Sequence, residues 1–523
     1  MKKFNVTGLC VPHKHYMADI SEKLEKIKEL IYNECYFTIN RARQYGKTTT
    51  LFALEKSLYE NYIVASISLE GLCDENFASQ KKFCLAFIGR IVSALRFSSA
   101  TKEYQKKWAD CNITNFNDLS AHITNMCEDN KIVLIVDEVD RTSHNRVFLG
   151  FISMLREKFL ARQSGKDYTF HSVILAGVYD IKNIKLKLMS EGLYTPTATE
   201  GKIYNSPWNI ASNFEVDMSF NPAEIASMLI EYEKDHAAGM DITEISEEIY
   251  NFTNGYPFLV SRLCQCIDET LEKNWTAKGM REAVQILLTE KNTLFDDLFK
   301  NLENNKNLYI LIYDMLIVGE KRSFNADNPI LSLALMYGII KKEEPYVSIS
   351  NRIFEIRICN YFASKDELEN SEKKINGVLQ ADIVKNGRFD MELCLRKFAG
   401  HYAEIFNAAD AGFFERHGRM LFLSYLKPLI NGQGFYHIES QFTDLRRMDI
   451  VVDFGCDQFI IELKLWKGEK SHEEAYEQLL GYMESKNAGT AYLLTFDFRK
   501  GKKKERKTEW VETGGKKIFD VII

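Results

Sequence analysis

Residues 35–60 read CYFTINRARQYGKTTTLFALEKSLYE: an apolar β-rich run, a polar turn, then a helical run. That order puts Gly46-Lys47-Thr48 at a strand-to-helix junction. At such a junction the loop amides and the helix N-terminus face an anion, a lysine reaches terminal phosphates, and a hydroxyl holds Mg²⁺. The turn follows the phosphate-binding pattern G-x-x-x-x-G-K-[ST], except that Arg41 stands where the first glycine is expected. The candidate cofactor-binding residues are Arg43, Gln44, Tyr45, Gly46, Lys47, Thr48 and Thr49, and Thr48 is also a candidate metal ligand.

Outward from this loop, residues 35–219 alternate short β-rich runs with helical stretches, the mark of a parallel sheet with crossover helices. Strands are expected at 36–40, 62–69, 132–137, 172–178 and 214–218. The third of these ends in VDEVD. At its C-terminal end Asp137 can hold the Mg²⁺ and Glu138 can act as the base that polarises an attacking water. Tyr179 and Asp180, at the end of the fourth strand, read equally as sensor groups or as an ordinary strand end. From Asn221 strands vanish, and the start signal Asn221-Pro222-Ala223-Glu224 opens a helical lid. In it, NGYPFLVSRLC puts Pro257 at a helix start beside the expected nucleotide, with Arg262 as a sensor candidate or a plain surface arginine, and Arg141, just past VDEVD, is a candidate trans-acting finger. Residues 307–362 read as helix, helix and a two-stranded wing, and the charged stretch 365–374 as a linker.

The rest of the composition is that of an ordinary globular protein. The chain has 523 residues, 46% hydrophobic and 27% charged, which excludes a disordered or collagen-like polymer and calls for several domains. The net charge of −6 gives no global attraction to nucleic acid, so any polyanion site must be local. The 11 cysteines lack paired spacing and read as thiols of a reducing cytoplasm. No signal-peptide pattern and no apolar run of membrane-spanning length is apparent, so a membrane home is not expected.

A second chemical constellation lies in RRMDIVVDFGCDQFIIELKLW, two apolar runs around a Gly-containing turn. A hairpin loop at Gly455 and Cys456 sets Phe454 opposite Asp457 and, pairing outward, Asp449 opposite Glu462. Opposed side chains have Cβ atoms about 5 Å apart, close enough to share one Mg²⁺. Lys464, two residues on, projects from the same face. Two acids and a lysine on one face suit metal-assisted phosphodiester hydrolysis; the competing reading is a surface salt-bridge patch. The basic run 499–507, RKGKKKERK, is either a solvated loop or a phosphate-neutralising strip.

Two resemblances follow from these motifs. HYMADIS (15–21), the loop with its flanking runs, VDEVD, and the Gly-x-Pro turn with the following winged helix resemble the bacterial AAA-ATPase-like family over about residues 1–360. Members of that family often carry Arg at the first loop position. The resemblance implies ATP with Mg²⁺, used as a conformational switch. Residues 395–500 resemble the PD-(D/E)XK nuclease superfamily. Asp449 matches its first acid, Glu462-Leu463-Lys464 its E-x-K, and Glu415 its helical acid, on a helix expected over 413–426 and ended by Pro428, with Glu404 as an alternative. Gln478 and Tyr482 match the Q-x-x-x-Y feature of the RecB-like branch, whereas Met448 stands where a proline is usual. The implied catalytic set is Glu138 for ATP and Asp449, Glu462, Lys464 and Gln478 for the nuclease. The implied metal ligands are Thr48, Asp137, Glu415, Asp449 and Glu462.

The expected fold is therefore a multidomain α/β chain. A P-loop NTPase parallel sheet (1–220) precedes a helical lid (221–300), a winged-helix module (301–364) and a restriction-endonuclease-like α/β domain (375–523). The expected function is a nucleotide-gated nuclease using ATP, Mg²⁺ and, at the nuclease site, Mg²⁺ or Mn²⁺. DNA is placed ahead of RNA as partner, self-association is left open, and a role in mobile-element control or phage defence is what such an architecture suggests. The rivals are a signalling or scaffold NTPase whose nuclease-fold tail only binds, and a processive motor.

Overall fold

The structure is a computed structural model, and it describes residues 2–139, 146–178, 208–318, 320–369, 383–385, 387–405, 411–430, 434–439, 449–455, 457–486, 488–497 and 507–523. The chain divides into two compact units. The first holds Met1–Ala237, Gly255–Arg262 and Met336–Gly338; the second holds Ala238–Asn254, Leu263–Leu335 and Ile339–Ile523.

The first unit is built on four parallel strands, β1 (Tyr36–Asn40), β2 (Ile63–Ser68), β3 (Ile132–Asp137) and β4 (Ser172–Gly177), in the order β1-β4-β3-β2. Successive residues of each strand enter opposite cores, Leu134 and Val136 on one face and Val133 and Ile135 on the other. A sheet covered on both faces explains why these strands read as unbroken apolar runs. The fifth expected strand, 214–218, does not form. Among the described residues an isolated bridge, Phe37 to Ser212, reaches β1 just ahead of this segment. Farther on, the Arg41 guanidinium takes the Val216 carbonyl at 2.8 Å and lies 5.4 Å over the Phe214 ring. A side chain thus occupies an acceptor that a further ladder would need.

The lid opens as expected. Asn221 caps the helix Pro222–His236 and shares a capping box with Glu224. Glu224 also receives Lys23 at 2.6 Å, which fastens this helix to the rest of the unit.

The second unit contains the later lid helices Ile242–Thr253, Ala277–Thr289 and Thr293–Asn304, the wing, and the C-terminal domain. The wing has three strands, β5 (Arg322–Ser323), β6 (Ile340–Glu343) and β7 (Tyr346–Ile349), in the order β5-β7-β6, one more than expected. The linker reading of 365–374 fails over its first part, because the helix Arg352–Glu369 continues through it. Lys365 is held there by Glu303 at 3.4 Å and by the Tyr361 ring at 5.0 Å.

A short hairpin, β8 (Val384–Lys385) and β9 (Arg388–Phe389), precedes the helices Met391–Ile405 and Ala411–Ile430. The second of these does not stop before Pro428. One missing N–H forfeits a single helical bond, while Leu429 and Ile430 are buried and keep the last turn packed. A six-stranded sheet follows, with β10 (Gly434–Glu439), β11 (Asp449–Phe454), β12 (Asp457–Leu465), β13 (Thr490–Phe496), β14 (Lys507–Thr513) and β15 (Lys516–Ile522). Its order is β10-β11-β12-β13-β15-β14, antiparallel from β10 to β12, parallel across β12, β13 and β15, and antiparallel at the β14 edge. The helix Glu469–Ser485 buries Ala475, Leu479, Tyr482 and Met483 against one face, in a cluster with Val451, Ile460 and Leu493.

Within this unit the C-terminal domain is joined to the wing and lid by specific bonds. Asn360 accepts Lys427 on its carbonyl at 3.1 Å and Tyr436 on its side chain at 3.1 Å. Arg419 donates to the Ile317 carbonyl at 2.8 Å. Ten cysteines are free among the described residues, and no helix among them is long and apolar enough to cross a membrane.

Candidate nucleotide and acid sites

The loop between β1 and the helix Lys47–Leu58 is shaped by two left-handed residues, Gln44 at φ +56° and Gly46 at φ +75°. Gly46 tolerates that conformation because it has no Cβ. Lys47 is buried, 8% exposed, and its ammonium bonds the Arg41 and Ala42 carbonyls at 2.8 Å each, inside the loop's own hollow. Thr48 Oγ1 donates to Asp137 Oδ2 at 3.0 Å, joining the two expected Mg²⁺ ligands across the sheet's C-terminal edge. The other Asp137 oxygen accepts the Glu138 amide at 2.8 Å. Glu138, half-buried, has φ +57°, an uncommon setting for a residue with a Cβ.

The lid turn grips this loop. Gly255, at φ +70°, lies so close to Phe220 that a Cβ would come within 1.8 Å of its carbonyl oxygen. The Phe220 amide bonds the Gly255 carbonyl at 2.8 Å. Tyr256 donates to the Arg43 carbonyl at 2.6 Å and meets the Tyr45 ring edge-on at 4.6 Å. Tyr45 shares a 2.6 Å hydrogen bond with Ser219. Arg41, at the position expected to be glycine, anchors the loop root, and burial pulls its pKa below the usual arginine value, opposed by Tyr45 and Asp217.

Beside the loop opens a mainly apolar cavity of about 350 Å³, within the range of small-molecule pockets. Gln44, Tyr45, Gly46, Thr49 and Pro257 line it, and so do Tyr16, Met17, Ile20, Met218, Phe220 and Phe258. The N-terminal segment therefore forms one wall. It is fastened by the Cys10 amide to Thr49 Oγ1 at 3.2 Å and by Tyr16 to Asp235 at 2.9 Å. Sequence reading missed this wall, although HYMADIS was the signal that marked it. Arg43, Lys47, Thr48, Asp137, Glu138 and Arg262 are not part of the cavity lining. The Arg43 side chain is exposed, and Ser261, not Arg262, lines the pocket. Arg141, Tyr179 and Asp180 lie outside the described residues.

A model of the AAA-like domain matches residues 12–363, two thirds of the chain. The chain belongs to the AAA-like domain family. Among solved structures this AAA-like protein is similar to the Walker-type ATPase PABY2304 of Pyrococcus abyssi. The match has 14% identity, covers 67% of this chain and 98% of that one, and has a TM-score of 0.44. The Aeropyrum pernix ORC2 protein, in ADPNP-ADP complexes, matches with 12% identity over 67% of this chain and 94% of that one, with a TM-score of 0.39. At these scores the two likenesses carry no argument beyond the family match. The search of curated proteins found no match. The AAA-like protein thus has a parallel P-loop ATPase fold with a helical lid in its first 360 or so residues.

In its C-terminal domain, Asp449 pairs with Glu462 in the β11–β12 register, with Phe454 opposite Asp457, as the hairpin arithmetic requires. Glu462 is 2% exposed, and its Oε1 makes no hydrogen bond although Lys464 Nζ stands 2.6 Å away as an ion pair. Gln478 lies on the helix face that carries Ala475 and Tyr482, and its Oε1 is buried without a hydrogen-bond partner. Tyr482 itself is core packing. Sequence reading missed Arg419, a buried guanidinium that feels the Glu462 carboxylate and whose pKa burial pushes down to about 10. The side chains of Asp449 and Glu415, and residues 499–506 of the basic run, lie outside the described part. Among the described residues there is no group of three or more metal-ligating His, Cys, Asp or Glu, and two of the three expected ligands, Asp449 and Glu415, have side chains outside them.

Proposed function

We propose that the chain is an ATP-hydrolysing switch whose C-terminal domain is a metal-dependent, restriction-endonuclease-like nuclease acting on DNA. The first part is carried by the 3.0 Å bond between Thr48 and Asp137 beneath the loop that holds Lys47. Lys47 would exchange its two carbonyls for the terminal phosphates, Thr48 and Asp137 would hold the Mg²⁺, which supplies charge neutralisation, and Glu138 would take the proton of the attacking water. The apolar cavity receives the base. Gln44, Tyr45, Gly46 and Thr49 face the bound nucleotide, and Pro257 ties its occupancy to the lid.

The second part is carried by the register that sets Asp449 opposite Glu462, with Lys464 on the same face. The donor set suits a hard divalent cation. Gln478 Oε1 is a buried oxygen acceptor left without a hydrogen bond, which is costly unless something completes it, while Glu462 is compensated by Lys464 at 2.6 Å. Asp449, Glu462 and Glu415 would hold Mg²⁺ or Mn²⁺, and the ion would supply an activated water and charge stabilisation. Lys464 neutralises the scissile phosphate and Gln478 orients the water.

The test is cleavage of single- and double-stranded DNA and RNA by the purified full chain, with Mg²⁺ or Mn²⁺, with and without ATP. The expected result is metal-dependent DNA cleavage lost in Glu462→Gln while ATP turnover persists. Cleavage that survives in Glu462→Gln overturns the nuclease assignment, and ATP turnover that survives in Lys47→Ala overturns the switch.

A further inference from the structure

The sheet face carrying Glu462 holds a second buried polar cluster two strands away. Across the register Glu462 pairs with Leu493, and Leu493 with Asp520. Asp520 is completely buried. Its Oδ2 accepts the Tyr476 hydroxyl at 2.6 Å, lies 2.9 Å from His472 Nε2 and is 3.5 Å from Lys507 Nζ. Its Oδ1 is buried without a hydrogen-bond partner. His472 is placed further by the Trp466 ring at 5.1 Å and by Thr495 Oγ1, 3.5 Å from Nδ1. Thr495 is in turn the register partner of Lys464.

His472 and Tyr476 stand one turn apart on the helix Glu469–Ser485, the element that carries Gln478 half a turn later. Burial alone does not require this charge. Ile518 and Ile522 flank Asp520 on the same strand face, and an apolar residue would pack between them. Replacing a buried charge by an apolar group of similar volume is often neutral or stabilising, and the best-attested use of retained buried polarity is to fix register. The apolar contacts of Ala475, Leu479 and Met483 hold the helix on the sheet but leave its rotation and slide loosely specified. Directional bonds to one carboxylate specify both.

We propose that Asp520, through His472 and Tyr476, is a positioning residue for the acid site. It sets the rotation and height of the helix so that the Gln478 amide oxygen faces the cation held at Glu462. This rests on the nuclease reading. Outer partners that orient a metal site commonly change metal affinity by about 10–100-fold when removed.

The experiment titrates Mn²⁺ alone into the full chain and into Asp520→Ala, Asp520→Asn, Gln478→Ala, the Asp520→Ala/Gln478→Ala double variant and Glu462→Gln. Thermal melts confirm that each is folded at the assay temperature. Asp520→Ala is expected to weaken Mn²⁺ binding about tenfold or more. Asp520→Asn, which keeps an acceptor for His472 and Tyr476, should recover most of that loss. The double variant should bind as Gln478→Ala does, because the two losses act through one group. Unchanged Mn²⁺ binding in Asp520→Ala, or losses that add in full, overturns the positioning role while leaving the nuclease reading standing. Unchanged binding in Glu462→Gln overturns both. If Asp520→Ala does not fold, Tyr476→Phe carries the same test and is expected to lose Mn²⁺ affinity by about tenfold; no loss there overturns the proposal.

Discussion

In the first unit the phosphate-binding loop is closed upon itself: Lys47 is satisfied by two carbonyls, Thr48 by Asp137, and the Arg43 carbonyl by Tyr256. In the C-terminal domain Gln478 Oε1 and Asp520 Oδ1 are buried without hydrogen bonds, and the Glu462 carboxylate is met by the Lys464 ammonium at 2.6 Å. The difference teaches that the two sites satisfy their polar groups in different ways. The loop is preorganised by backbone geometry and by the lid turn, so its ligand replaces existing bonds. On the nuclease reading, a cation at the acid face would add a bond where Gln478 Oε1 has none.

The largest expected effect separates the two chemistries. Glu138→Gln should lower ATP turnover by about 10²–10⁴-fold, the usual worth of a general base, with nucleotide binding kept and Mn²⁺ binding at the acid site untouched. Phosphate release and nucleotide titration check it; turnover within a few-fold of the unmutated protein would remove Glu138 from the mechanism.

Next in size is the preorganisation of the loop. Gly255→Ala places a Cβ 1.8 Å from the Phe220 oxygen at a positive φ, and overpacking with backbone strain should cost about 3 kcal/mol. Melting of the first unit and loss of ATP affinity should appear together. A variant that melts as before would mean that the turn can relax without the loop noticing.

On the nuclease reading the acid site should respond to metal in a complementary way. Mn²⁺ at 100 times its dissociation constant should stabilise the C-terminal domain by about 2.7 kcal/mol. Thermal melts with and without chelator read this, and the shift should vanish in Glu462→Gln. A shift that survives that variant places the ion elsewhere.

The smallest effect concerns pH in the first unit. Burial lowers the pKa of His122, whose ring meets Trp108 edge-on at 5.2 Å. The unfolded chain then takes up the proton first, so stability is complete above pH 6.5 and falls as pH drops through the lowered folded value. A decline of roughly one or two degrees in melting temperature toward pH 5 is expected, flattened in His122→Gln. An unchanged slope in that variant would assign the pH response to other groups.

Much of this was legible from neighbouring residues. The strands 36–40 and 132–137 carry apolar runs that end in functional turns, and the structure places β1 and β3 at the same bounds. The 449–462 register was readable because a two-residue hairpin loop fixes which residues oppose each other. Residues 214–218 looked like a strand by composition, yet pairing depends on a free neighbour edge, and the Arg41 side chain already holds that segment's carbonyl. Pro428 looked like a helix stop, yet burial of Leu429 and Ile430 outweighed one lost bond. The AAA-like family membership was legible in the loop, the VDEVD strand and the lid turn, all short motifs.

The amino-acid order by itself determined the local devices: where the backbone turns, which residues cap a helix, which positions share a strand face. These depend on interactions within a few residues, so they survive being read one segment at a time. Only the tertiary structure decided what surrounds them. The cavity wall joins Tyr16 to Met218 and Phe258, and Asp520 meets a helix that begins some fifty residues earlier. Such contacts exist because distant apolar segments share one core, and that closure is a property of the whole packed unit and of no single stretch.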